Sequence, residues 1–305
     1  MTDRHPRLPE AQRRILARAR RLQVLWLVAL TTITVAVYFS LGNSQAMKTA
    51  WIEDLLSFVP PVAFLVASWI EGWAPNDRFP LGFIRVTSIS YLVAAVALAG
   101  VGLFLIVDAG MTLIATEHPT IGSVEVFGMT VWFGWVMIAA LVYSAALPVV
   151  FGRLKLTPAR ELHDKTLWAD ALMNKADWMT GLAAIAGILG IGMGWWWADA
   201  AAAIVISLDV LRDGVKNTGA AIRDLSDEMP RTIDDSAFDP LIDEVRSHID
   251  RLPWVAKSRV RLREEGRFLT GTVHVVPRGG GVTPAELEMA DRDLRALHWR
   301  LRILL

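Results

Sequence analysis

Six long apolar runs, separated by short polar segments, fill roughly the first two thirds of the chain: Leu22–Leu41, Ala46–Ile70, Ser88–Ile114, Val124–Phe151, Leu167–Ile191 and Trp195–Leu211. A helix that crosses a bilayer needs about 20 mostly apolar residues, so the pattern predicts six spans, the last one short. The predicted connectors are a Gly42-Asn43-Ser44 link, a polar loop around Asn76-Asp77-Arg78, the segment Glu117-His118-Pro119-Thr120, a charged loop from Arg153 to Lys165, and a turn near Gly192 and Gly194. The arginines before Leu22 look like the charged start of a signal peptide. The run that follows is too long for a signal core and has no small-residue cleavage pattern, so it reads as a retained span.

After Leu211 the chain turns charged and amphipathic. Asp239–Leu252 has apolar residues at helical spacing, whereas Val255–Leu262 and Phe268–Val276 read as strands joined by a turn at Gly266-Arg267. Thr283-Pro284-Ala285-Glu286 starts a helix, with Thr283 as cap and Glu286 completing a capping box. That helix runs to about His298, and Arg300–Leu305 reads as a last strand. The expected fold is an all-α membrane bundle of six helices followed by a small α+β domain packed as a two-layer sandwich. Residues 1–21 would be a basic arm, 22–216 the transmembrane domain and 217–305 the soluble domain.

Composition agrees: 53% of the residues are hydrophobic, which a soluble domain of this length does not show. Acidic and basic residues number 31 each, so nothing in the charge balance calls for nucleic acid. The absence of cysteine removes disulfides and thiolate metal sites, so any metal ligands must be oxygen, imidazole or thioether. Basic residues cluster in the N-terminal arm, the second loop and the fourth loop, which by the positive-inside rule places both termini in the cytoplasm.

Charged groups in mid-membrane are costly and mark ion pathways. The second run holds Glu53 and Asp54 near its middle, and the fifth holds Asp170, Asn174, Lys175 and Asp177. Helical spacing puts Asp170, Met173, Asn174 and Asp177 on one face, and Glu53 and Ser57 on one face of the other helix. Asp54 is turned about 100° from Glu53, and Lys175 about 140° from Asp170. Lys48 is near a span end, where its ammonium can snorkel. Ion pairing that merely holds the helices together is the competing reading of these charges, but four carboxylates against two lysines leave an acidic excess that favours an ion pathway, whereas simple packing is the better reading of Met173.

In this order and on these spans, the residues resemble the cation diffusion facilitators, or cation efflux proteins. The resemblance rests on Asn43-Ser44-Gln45-Ala46 leading into Glu53, Arg78-Phe79-Pro80-Leu81-Gly82-Phe83, Ala169-Asp170-Ala171-Leu172 leading into Asp177, and Trp197-Ala198-Asp199-Ala200. It implies a multi-pass protein of a bacterial-type inner or plasma membrane with a ferredoxin-like cytoplasmic domain. It also implies a homodimer that exchanges a cytoplasmic divalent ion for protons, with no other cofactor. The family's four ligand places fall here on Glu53, Ser57, Met173 and Asp177, with Asn174 able to replace Met173. Glu53 and Asp177 are then the central ligands and proton carriers. Asn174 and Ser57 complete the shell, Asp170 assists entry or braces its helix, and Asp54 stands beside the site. The family's loop histidine is replaced by Phe83, and in the soluble domain only His274 falls at a ligand place, so that domain reads as a dimerisation module.

An oxygen-rich site favours harder ions, ranking manganese or ferrous iron above zinc, with magnesium possible. The competing reading is a non-transporting scaffold or sensor whose carboxylates are neutralised by Lys48 and Lys175. A lysine between Glu53 and Asp177 would favour it. An enzyme is not expected, because no nucleophile–base arrangement with catalytic spacing appears.

Overall fold

The computed structural model of the protein describes residues 8–41, 45–115, 122–126, 129–195, 197–279 and 281–304. The Gly42-Asn43-Ser44 link and the Glu117-His118-Pro119-Thr120 segment lie outside them. The helical part comprises α1 (Glu10–Phe39), α2 (Gln45–Leu56), α3 (Val59–Ile70), α4 (Val86–Ile114), α5 (Phe133–Leu162), α6 (Lys165–Gly192) and α7 (Ala198–Leu225). Among the described residues, four stretches are long and apolar enough to cross a membrane: α1, Ala50–Ile70, α4 and α5. The fifth and sixth runs also form helices, α6 and α7, but with more charge along them.

Three predicted segments differ. The second run is two helices, broken at Ser57 and Phe58. Pro60 and Pro61 cause the break: they carry no N–H, so the carbonyls four residues earlier, on Leu56 and Ser57, get no helical hydrogen bond from them. The fourth run is not helical from Val124. Ser123–Val126 (β1) and Met129–Trp132 (β2) pair as an antiparallel hairpin, as their Val, Thr and Trp content favours, and α5 starts only at Phe133. The charged loop from Arg153 to Lys165 is also mostly helix. Only His163 and Asp164 separate α5 from α6: His163 ends α5 with φ 48°, and the Asp164 carboxylate caps α6 by accepting the Leu167 N–H at 2.9 Å. At the N-terminus, residues 10–21 continue α1 as helix.

Helix α6 is innermost, packed against α2, α3, α4, α5 and α7. Along the apolar stretches of α1, α4 and α5, large apolar side chains point away from the neighbouring helices, among them Leu25, Val28, Val93, Leu103, Val142 and Val150. Helices α4 and α7 lie closest at two glycines. A Cβ at Gly102 would fall 2.5 Å from the Leu211 nitrogen, and one at Gly214 would fall 2.4 Å from the Ala99 Cα. Small residues let helices in apolar surroundings approach this closely.

Beyond α7 comes an α+β unit: α8 (Leu241–Asp250), β3 (Val255–Glu265), β4 (Phe268–Pro277), α9 (Pro284–Leu297) and β5 (Leu301–Leu304). Strands β3 and β4 form the expected hairpin around Gly266-Arg267, and β5 returns parallel to β4 through α9, in the order β3-β4-β5. The capping box of Thr283 and Glu286 is present. Leu241, Ile242, Val245 and Ile249 of α8 and Leu294 of α9 pack on Val260, Leu262, Leu269, Val273 and Leu301 of the sheet.

The tip of the β3–β4 hairpin joins this unit to the helices. Gly266 donates its N–H to the Ser88 hydroxyl at 3.1 Å, Phe268 packs with Phe64, Ile84, Leu162 and Leu167, and Arg267 is buried between Asp164 and Glu71. Gly266 has φ +62°, and a Cβ there would meet the Thr87 hydroxyl at 1.9 Å, so the turn requires glycine.

The α4–α7 crossing can be tested with Gly214→Ala. Alanine favours helix over glycine by about 1 kcal/mol, but its methyl group would press on the Ala99 backbone, a clash costing about 1–3 kcal/mol. The thermal midpoint in detergent is expected to fall. A rise would show that the helices are free to part there.

Candidate metal-transport site

Of the expected residues, Glu53, Asp54, Ser57 and Asp177 come together where α2 ends against α6. Glu53, Asp54, Ser57, Asp170, Asn174 and Asp177 are all buried. The break after Leu56 lets Ser57 donate its hydroxyl to Asp177 Oδ1 at 2.8 Å. Glu53 and Asp54 both lie within electrostatic reach of Asp177, and Thr180, one turn beyond Asp177 on α6, reaches Glu53. The 100° between Glu53 and Asp54 thus does not separate them, because α2 ends there and both side chains stay inside. Glu53 Oε1, Asp54 Oδ2 and Asp177 Oδ2 have no hydrogen-bond partner among the described residues. Three carboxylates with open oxygens in one buried place need a proton or a cation for compensation.

At the other end of the α6 face the carboxylate charge is already compensated. Asp170 Oδ2 pairs with the Lys155 ammonium at 2.6 Å, both side chains being fully buried, and accepts from Gln23 Nε2 at 2.6 Å. Lys155 also donates to Asn174 Oδ1 at 3.2 Å and lies 4.6 Å from the Trp26 ring centre. Asp170 is thus a brace, and the Asn174 oxygen points at an ammonium. Met173 packs with Leu98, Val101, Leu105, Ala176 and Val210. Lys175 faces outward, 3.5 Å from Asp209, with both side chains about half exposed. The Lys48 and Asp199 side chains lie outside the described residues.

Lys155 and Gln23 were missed because Lys155 fell in the supposed loop and Gln23 in an apolar run. A signal was there. Leu141, Ala145, Pro148, Gly152, Lys155, Ala159 and Leu162 repeat at three and four residues and are all buried, as are Leu16, Ala19, Gln23, Trp26 and Leu30. A polar residue inside such a stripe must point into the bundle. Phe83, at the loop-ligand place, stacks with Phe79 and Trp73, and His274 is exposed on β4.

A second charged cluster sits at the junction with the α+β unit, past the apolar part of α7. His163, Asp239 and Glu264 are close enough to share an ion, but Arg300 holds Asp239 at 2.6 Å and Lys165 holds Glu264, so cations of the chain already occupy them. Burial works against the charge on Glu264. The His163 imidazole 3.5 Å away, the Lys165 ammonium and the proton on Asp224 outweigh it and hold Glu264 below the usual carboxylate range. Asp224 keeps its proton up to about 8: burial raises it most, Lys165 opposes, and the Glu264 charge adds to the rise. His163 is lowered, chiefly by burial and then by Arg300.

The model of the cation efflux transmembrane domain matches residues 22–226. The manganese efflux system protein MneS of Bacillus subtilis is 24% identical over 238 residues, covering 77% of this chain and 73% of MneS. MamV of Paramagnetospirillum magneticum is 27% identical over 212 residues, 68% of this chain and 60% of MamV, so the chain spans less than two thirds of that relative.

The junction has a pH signature. In the folded protein Asp224 binds its proton up to about pH 8, whereas the unfolded chain loses it near pH 4. The folded state therefore holds the extra proton between these values. Stability falls by about 1.4 kcal/mol per pH unit across the window and levels off above it. Thermal midpoints measured from about pH 6 to about pH 9 are expected to decline, and Asp224→Asn is expected to flatten the curve. An equally steep curve in the variant would assign the proton to another group.

Proposed function

The chain belongs to the cation efflux family, a family of transporters and not of enzymes, and on that footing we propose that it exports a divalent metal ion through a site centred on Glu53 and Asp177. The observation that carries this reading is the set of unpartnered buried oxygens on Glu53, Asp54 and Asp177, with Ser57 tied to Asp177. Such a group gains from a divalent ion and, once the ion has left, is discharged by protons, which makes proton exchange its natural coupling. Asn174 would add its amide oxygen when Lys155 releases it. Met173, among aliphatic side chains, supports packing better than ligation.

The donors are oxygens, which ranks manganese and ferrous iron above zinc. The name of MneS, a manganese efflux protein, points the same way. In this reading six spans cross a bacterial-type inner or plasma membrane with both termini in the cytoplasm. The α+β unit of ferredoxin-like type joins two copies into a homodimer, and residues 22–216 and 217–305 are the two functional divisions. The scaffold reading loses support from Lys175, which pairs with Asp209, while Lys155 holds Asp170 and, among the described residues, Glu53 Oε1, Asp54 Oδ2 and Asp177 Oδ2 have no hydrogen-bond partner.

Uptake of Mn²⁺, Fe²⁺ and Zn²⁺ into liposomes holding the purified protein and an imposed proton gradient tests this directly. Glu53→Ala and Asp177→Ala are each expected to cut Mn²⁺ transport by at least the roughly tenfold to hundredfold that losing a supporting group costs a metal site. Unchanged transport in both variants would refute the site, and preference for Zn²⁺ over Mn²⁺ would refute the ranking.

A further inference from the structure

The site described above leaves one buried group unexplained, the ammonium of Lys155. It is fully buried, it sits on α5 and not on either ligand-bearing helix, and it bridges Asp170 and Asn174 at 2.6 and 3.2 Å. A lysine that only neutralised Asp170 would not need the Asn174 oxygen, which is the amide atom a metal ion would use. Along α6, Asp170, Asn174 and Asp177 follow one another on one face, so Lys155 holds the first two while the third belongs to the open carboxylate group.

We propose that Lys155 is a positioning residue, a tethered cation that competes with the transported ion for Asn174 Oδ1. A divalent ion binds such an oxygen at about 2.0–2.6 Å. An ammonium on the same oxygen would then stand within a few ångströms of the ion, in surroundings that screen repulsion poorly. The two cannot hold the atom together. A place for the displaced ammonium is already built: Asp170 Oδ1 is buried and accepts no hydrogen bond among the described residues, and the Trp26 ring flanks the ammonium at 4.6 Å. A short swing onto both Asp170 oxygens frees Asn174. When the ion leaves, the ammonium returns to Asn174 Oδ1. Lys155 thus weakens ion binding and speeds release, and its charge opposes a second ion.

The inference rests on the proposed metal site, and the test separates the two. Mn²⁺ binding to the purified protein is measured by calorimetric titration, with KM and kcat for Mn²⁺ from liposome uptake. Lys155→Gln is expected to tighten Mn²⁺ binding by about tenfold, the order expected from removing a nearby unit charge, and to lower KM and kcat together. Lys155→Arg keeps the charge and should stay near wild type. In an Asn174→Ala background, where the contested oxygen is gone, the gain from Lys155→Gln should shrink. Because Lys155→Gln leaves Asp170 buried without its cation and can fail to fold, the double variant Lys155→Met with Asp170→Leu, which removes both charges, provides the second measurement. It too should bind Mn²⁺ more tightly than wild type. If wild-type binding depends on Glu53 and Asp177 but neither Lys155 variant binds Mn²⁺ more tightly, the competition is wrong and Lys155 is a structural brace. If wild-type binding does not depend on Glu53 and Asp177, the metal site itself is wrong and the role of Lys155 fails with it.

Discussion

A charge inside an apolar bundle has to be surrounded, and this requirement organises the molecule. Helix α6 carries Asp170, Lys175 and Asp177, and it is the helix packed by five others, while apolar side chains along α1, α4 and α5 turn outward. A soluble protein hides its most apolar helix. Here the surroundings are apolar, so the helix with the most to lose from them goes to the centre. The small-residue crossing of α4 on α7 closes the bundle around α6, and the break that Pro60 and Pro61 make in the second run brings Ser57 to Asp177.

The same helix is held from outside. Asp164 caps α6 through Leu167 and also receives Arg267 from the tip of the β3–β4 hairpin, while Lys165, the first residue of α6, pairs with Glu264 of β3. The α+β unit therefore grips the end of the helix that carries the candidate ligands. Breaking a buried pair by removing one partner costs about 3–5 kcal/mol, so the hairpin tip is firmly tied to the start of α6. Glu71, at the end of α3, shares Arg267, which ties the second run to the same point.

Much of this could be read from residue order. The helix–strand–strand–helix–strand succession after α7, the turn at Gly266-Arg267 and the capping box at Thr283 depend on local spacing and turn chemistry, and they recur in the structure, while each apolar run contributes at least one helix. Glu53, Asp54 and Asp177 stand out because charge in an apolar run is rare. The misreadings have local causes too. Hydropathy averaged over a run hides Pro60-Pro61 and the alternating residues of β1 and β2, and four basic residues between 153 and 165 look like a loop although Lys155 continues the helical spacing of Pro148, Gly152, Ala159 and Leu162.

What the sequence determined by itself is the set of charges that must be compensated, because the cost of burying a carboxylate belongs to the residue and its apolar neighbours along the chain. What only the tertiary structure decided is which cation compensates which carboxylate. Lys48 and Lys175 share helices with the acidic residues and were the natural candidates, yet the buried partner of Asp170 is Lys155, from α5. Pairing in a low-dielectric interior depends on distances of a few ångströms between helices, and no spacing along a single helix encodes them.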